Sequence, residues 1–167
     1  YKEFHKGMLI FETKLDELEY LSKKIKYQKE DGKVIGKHQG AQFFTIGQSK
    51  GLGIGGHKES CFIIDRDMEN NILFVGEGKN FPGLYRKALK INNDEVHWVR
   101  EDLRLKNGES MNVKARIRYR QPLEDAVLYQ YKEGFFIEFE NPQSAIAEGQ
   151  FAAWYQGEEL LGSGVIS

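Results

Sequence analysis

Leu15, Leu18, Leu21 and Ile25 recur three or four residues apart. That spacing lines one face of an α-helix, and it predicts a helix over residues 11–26. Thr13 stands at its start as an N-cap, with Asp16 and Glu17 in the first turn, where carboxylates suit the exposed N–H groups. A single apolar stripe needs a second surface to pack on, within this chain or outside it. Beyond the helix the period shortens. Lys33-Val34-Ile35-Gly36 reads as a short strand, and residues 42–46 as a strand or a helical turn. Cys61-Phe62-Ile63-Ile64-Asp65 and Ile72-Leu73-Phe74-Val75 flank a polar turn at residues 67–71, which predicts a β-hairpin.

Gly76, Gly78, Pro82 and Gly83 then cluster as a boundary near residue 82. After it, strands are expected at 88–91, 96–99, 111–119, 125–131, 134–139, 151–155 and 160–166. Asn92-Asn93-Asp94, Asn107-Gly108, Lys132-Glu133-Gly134 and Gln156-Gly157 separate them as turns. Six or seven short strands without a strong helix predict a small antiparallel barrel or sandwich. The expected fold is mainly β with a small α+β part: a helical leader (1–31), a central α+β domain (32–82) and a C-terminal antiparallel β-barrel (83–167).

Charge changes this picture more than composition does. The 167 residues carry a net charge of −1, but residues 21–58 hold eight lysines against two acids. Residues 111–122 hold four basic residues and no acid, and residues 123–167 one lysine against eight acids. Such blocks fit either a face turned to a polyanion or separate solvated patches. No apolar run approaches the ~18 residues of a membrane span, and the first apolar stretch, Met8 to Phe11, is too short for a signal peptide. One cysteine, Cys61, excludes an internal disulfide framework and a multi-cysteine metal site, which suits a reducing compartment. The chain begins at Tyr1 rather than Met, as a piece of a longer protein would.

Two segments carry candidate chemistry. Gly51, Gly53 and Gly56 match G-x-G-x-x-G in form, but a strand follows them where a dinucleotide site needs a helix N-terminus. No Gly-Lys-Ser/Thr triplet marks a Walker A loop. The glycines serve either a tight loop with positive φ or a close backbone approach to another chain, helped by Lys50 and Lys58. The second segment is Lys114-Ala115-Arg116-Ile117-Arg118-Tyr119-Arg120-Gln121. On a strand it places Lys114, Arg116, Arg118 and Arg120 on one face. That row fits phosphate oxygens, unless acids from neighbouring strands, between Glu124 and Glu140, neutralise it. Tyr119 belongs to the opposite face or, at the strand end, to a base-stacking position. The scattered His5, His38, His57 and His97 have no metal-ligand spacing. His38 reads best as a hydrogen-bonding group of its loop, Cys61 as a core thiol, and no catalytic triad is evident.

Longer phrases resemble a known family. Gly36-Lys37-His38-Gln39-Gly40, Phe43 through Gly56, and Asp65 through Gly76 resemble the central-domain signature of the bacterial and organellar tRNA-specific 2-thiouridylases. Val96-His97-Trp98, Arg116 through Pro122, Glu148-Gly149-Gln150 and Leu161 through Ile166 fit their C-terminal domain. The resemblance covers residues 32–167. It implies a longer enzyme in which an ATP pyrophosphatase domain precedes a central domain and a β-barrel. That enzyme uses ATP and Mg to adenylate C2 of a wobble uridine in tRNA. It then replaces that oxygen with sulfur carried as a persulfide on two cysteines. The implied partners are tRNA, the enzyme's own N-terminal domain and sulfur-delivery proteins, in the cytoplasm and away from membranes.

On this resemblance no catalytic residue, metal ligand or cofactor site falls in this chain, which is expected to begin just after the second catalytic cysteine and to be inactive alone. Cys61 stands where the family has an aromatic residue, so it inherits no role. The family's tRNA contacts carry over to Arg118, Tyr119 and Gln150. Arg116, Arg120 and Lys50 join them as candidates, although Ser49 replaces an arginine that the family often carries beside Lys50. Two rival readings remain: a non-enzymatic barrel that binds RNA or protein, and a nucleotide-binding enzyme built on the glycine loop.

Overall fold

The computed structural model describes residues 10–167; His5, Met8 and Leu9 lie outside them. Among the described residues there is one α-helix, α1 (Lys14–Ser22), with 3-10 turns and eight strands. The strands form one two-stranded sheet and one closed six-stranded barrel, a mainly β architecture. No helix among them is long and apolar enough to cross a membrane. Contacts divide the chain into two compact units, one holding Lys24–Leu84, the other joining Glu12–Lys23 to Tyr85–Ser167. The helix expected in a separate leader therefore groups with the barrel, and the division falls after Leu84.

The helix is shorter than its periodicity suggests. Thr13 caps it: its side chain accepts from the Asp16 N–H while the Asp16 carboxylate accepts from the Thr13 N–H, a reciprocal capping box. Ile25 lies beyond the last turn and is exposed. Leu15, Leu18 and Leu21 find their second surface in Ala88, Phe136, Tyr129 and Tyr131 on the outer wall of the barrel. Two ion pairs flank this apolar seam, Lys14 to Glu138 at 2.8 Å and Lys90 to Glu19 at 2.6 Å.

The barrel strands are β3 (Tyr85–Trp98), β4 (Ser110–Arg116), β5 (Glu124–Tyr131), β6 (Gly134–Ser144), β7 (Phe151–Gln156) and β8 (Glu159–Ile166). Their order around the barrel is β3-β6-β5-β4-β7-β8, every pair antiparallel, and β8 returns to β3. Asn92-Asn93-Asp94 does not break the chain into two strands as its composition suggests. β3 runs through it and changes partner there, from β6 through Ile91 to β8 from Val96. The interior holds Leu89, Leu128, Ile137 and Leu161, with Trp98, Phe135 and Trp154 in mutual ring contact. Gly162 opposes both tryptophans, and a Cβ there would lie 2.7 Å from the Trp154 ring.

The other unit is built on a single hairpin, β1 (Cys61–Asp67) and β2 (Ile72–Glu77). Asn71 closes its turn with a positive φ of 55°. The remaining chain is irregular. Lys33–Gly36 forms no strand: the run is three residues between glycines and has no ladder partner among the described residues. Residues 42–46 resolve into a 3-10 turn at Ala41–Phe43. The helical part of this region is confined to 3-10 turns.

Candidate nucleic-acid interface

The basic segment does not form one continuous strand face. β4 stops at Arg116. Within it the alternation holds, with Val113 and Ala115 buried and Lys114 outside. Lys114 is neutralised by its cross-strand neighbour Asp125 at 2.8 Å, so a neighbouring acid does answer this cation. After Arg116 the chain turns. The Ile117 N–H donates to Gln121 Oε1 at 3.1 Å, and the Gln121 N–H donates to the Arg118 carbonyl at 3.1 Å. This four-residue turn lifts Tyr119 and Arg120 to its tip, as central turn positions require.

Four groups there differ in how they are held. Arg116 lies between two rings, 5.4 Å from the Tyr119 centroid and 5.2 Å from that of Tyr155, and its Nη2 donates to the Tyr155 hydroxyl at 3.0 Å. Arg118 donates from Nη2 to the carbonyls of Ser144 and Ala145, each at 2.9 Å. Partial burial pulls its pKa below the usual arginine value. Arg120 is exposed and has no hydrogen bond or ion pair among the described residues. Tyr119 is 86% exposed, far more than Tyr85 or Tyr20. Its ring therefore takes the strand-end, outward option rather than a place in the core.

Gln150 joins this surface through the same segment that Arg118 holds. Its Oε1 accepts from the Ala147 N–H at 3.1 Å, and its carbonyl accepts from the Ile166 N–H at 2.8 Å. Arg118 and Gln150 thus brace the two ends of Ser144–Ala147, an irregular run in which Ala145 has a φ of 55°. Gln143 is also tied in, accepting from Gln121 Nε2 at 2.5 Å. Three arginines, one exposed tyrosine and a fixed glutamine lie along this turn and the neighbouring loop, and among the described residues no carboxylate pairs with any of the three arginines. Guanidinium groups can pair with phosphate oxygens, and an exposed ring can stack on a base. Tyr155 and Gln143 were not evident from sequence. Each enters through strand pairing or a loop crossing, which no local motif records.

Lys50 belongs to the other unit and is exposed in the glycine loop. Gly47, Gly51, Gly53 and Gly56 all have positive φ, between 64° and 86°. That favours the tight-loop reading of this segment. Gln48 stitches it, accepting from the Thr45 N–H and donating to the Lys50 carbonyl. A strand follows the loop, and no helix opens on it. His38 Nδ1 accepts from the Gly40 N–H at 3.2 Å, as expected of a loop-fixing histidine. Burial raises the pKa of the Cys61 thiol, which leaves it a poor nucleophile. Among the described residues no cluster of three or more His, Cys, Asp or Glu is placed to hold a metal.

Two family models match the chain. An aminomethyltransferase beta-barrel domain covers residues 88–166, and a tRNA methyl transferase PRC-barrel domain covers residues 18–77. A tRNA-specific 2-thiouridylase of Christiangramia forsetii is 57% identical over 157 residues, 94% of this chain and 40% of the relative. That of Flavobacterium johnsoniae is 57% identical over 91% of this chain and 38% of its own length. That of Karelsulcia muelleri is 47% identical over 99% and 42%. The chain spans about 40% of the length of the curated relatives it matches.

Proposed function

The chain belongs to the tRNA-specific 2-thiouridylase family, and from that premise we propose that the barrel end around Tyr119 is a tRNA-contact surface. The observation that carries this reading is the turn itself: a tyrosine 86% exposed, flanked by Arg118 and Arg120 and backed by Arg116. One face of the ring meets Arg116, and the rest of it lies open to water, where an unstacked base gains a platform. Arg120 and Arg116 supply phosphate contacts, and Gln150 a polar contact from the neighbouring loop. Lys50, in the other unit, is proposed as a separate tRNA contact.

The whole protein is proposed to act as its relatives' name states, placing sulfur at C2 of a uridine in tRNA, here the wobble uridine. ATP, Mg, a persulfide relay, a sulfur-delivery partner and a cytoplasmic setting go with that proposal. The residues described here do not fit ATP or Mg: the glycine loop leads into a strand, and no carboxylate cluster converges. No step of nucleotide or sulfur chemistry is assigned to them, and this chain alone is proposed to bind tRNA without thiolating it.

The test is a salt titration of binding to a tRNA with uridine at the wobble position. Tyr119→Ala should weaken binding by about 1–3 kcal/mol with little change in salt slope, as loss of a stacking platform does. Arg120→Ala should lower the log–log slope by about 0.7–0.9, as loss of one phosphate contact does. Wild-type affinity and slope in both variants would remove this surface from tRNA recognition.

A further inference from the structure

We infer that Arg86 is a positioning residue for tRNA contact, an assignment that rests on the reading of the barrel end as a tRNA-contact surface. Arg86 is the second residue of β3 and bridges two elements distant in sequence. Its Nη1 donates to the Ser22 carbonyl at 2.8 Å, and its Nη2 donates to the Ile146 carbonyl at 2.7 Å. Burial pulls its pKa down, with Glu148 opposing. A guanidinium is not placed against carbonyls at such a desolvation cost without holding something in place.

At one end it holds the helix. Ser22 is the last residue of α1, where carbonyls lack intrahelical partners. The last turn of α1 contains no basic residue, so Arg86 supplies the cation that the C-terminal dipole favours. At the other end it holds the loop that carries the contact residues. Ser144, Ala145 and Ile146 present three successive carbonyls; Arg118 takes the first two and Arg86 the third. Ala147, the next residue, is bound by Gln150. Arg118 and Gln150 therefore take their positions from a segment that Arg86 fixes to the docked helix. The Arg86 guanidinium donates to the loop and not to the Tyr119 turn, while its ladder neighbour Gln143 bonds Gln121 of that turn, so Arg86 bears on the contact surface through both.

The decisive variants are Arg86→Met and Arg86→Lys in the full chain, with Ile137→Val as a core variant that lowers the melting temperature without touching the loop. A lysine keeps the charge but lacks the planar fork that serves two carbonyls, so both Arg86 variants should behave alike. Each should weaken tRNA binding by roughly two- to thirtyfold, the range for residues that act through others, with the salt slope unchanged. Amide exchange at Ala147, Gly149 and Ile166 should speed up in the same variants. Ile137→Val should leave affinity and loop exchange as in the wild type. Unchanged loop exchange, or a loss of affinity no larger than that of Ile137→Val at equal melting temperature, would overturn the assignment. A wild-type chain without salt-dependent tRNA binding would overturn the tRNA-contact reading instead. In that case faster loop exchange in the Arg86 variants would still establish the clamp, and unchanged exchange would overturn it as well.

Discussion

The two units satisfy their backbone by different means. In the barrel, each strand has a ladder neighbour on both sides, and closure leaves no open edge. In the other unit a single hairpin provides the one ladder among the described residues, Gly47 and Gln48 add two backbone bonds to Ile63, and side chains tie down much of the remaining backbone. Asn71 accepts from Ala41, Arg66 donates to the Phe44 carbonyl, and Glu77 accepts from Lys58 and Glu59. Stability in the barrel is spread over many equivalent bonds. In the hairpin unit the ladder is shorter, and a few named side chains carry a larger share. This difference explains where a binding surface can be afforded: the barrel carries Tyr119 and Arg120 on a turn outside its ladders. Replacing them should alter stability by no more than about 0.5 kcal/mol.

The contrast is sharpest in the cores. Trp154 is fully buried and packs on Phe135 at 4.8 Å and Trp98 at 5.6 Å. Trp154→Ala should cost about 3–5 kcal/mol, read from the denaturant midpoint. Ile63 is equally buried in the hairpin unit, and Ile63→Ala should fall near the lower limit for such changes, about 2 kcal/mol. Equal costs would erase the distinction between a ladder-closed core and a side-chain-stitched one.

Next in size is Asn71. Its Oδ1 accepts the Ala41 N–H at 2.8 Å, and its φ of 55° suits asparagine or glycine. Asn71→Gly keeps the turn but orphans the Ala41 N–H, and should cost about 1–3 kcal/mol. Asn71→Ala adds left-handed strain and should be worse. If glycine matches the wild type in thermal melting, the hairpin unit does not depend on this bond.

What could be read from sequence, and what could not, follows the same division. The α1 cap, the β1–β2 hairpin and the β7–β8 pair are local, and Thr13, residues 67–71 and Gln156-Gly157 mark them. The basic row between Lys114 and Arg120 was visible as charge, but its fate was not. Lys114 is cancelled by a residue set opposite it by strand register, and Arg116 is held by Tyr155, 39 positions away. β3 passes straight through three turn-forming residues because β8 takes over where β6 ends, a fact of barrel closure rather than of local propensity. Arg86 sits beside the glycine and proline cluster that marks the unit boundary, where nothing in the sequence singles it out.

The smallest effect is also the most specific. Glu77 ends β2, and its carboxylate accepts the N–H groups of Glu59 and Lys58 at 3.0 and 2.9 Å, with His57 Nδ1 at 3.3 Å. These bonds, that from Glu59 foremost, hold its pKa below the ordinary 4.5. A carboxyl depressed in the folded state contributes stability that is complete above its unfolded pKa. That contribution fades as pH falls through the folded one. Acidification from about 4.5 downward should therefore release the 57–59 segment first, while the barrel amides keep their protection. Glu77→Gln should lower the protection factors of Lys58 and Glu59 already at neutral pH, and wild type and variant should converge at low pH. If those two amides stay equally protected at pH 3 and pH 7, the carboxylate does not hold the segment. The hairpin unit would then rely on its ladder as the barrel does.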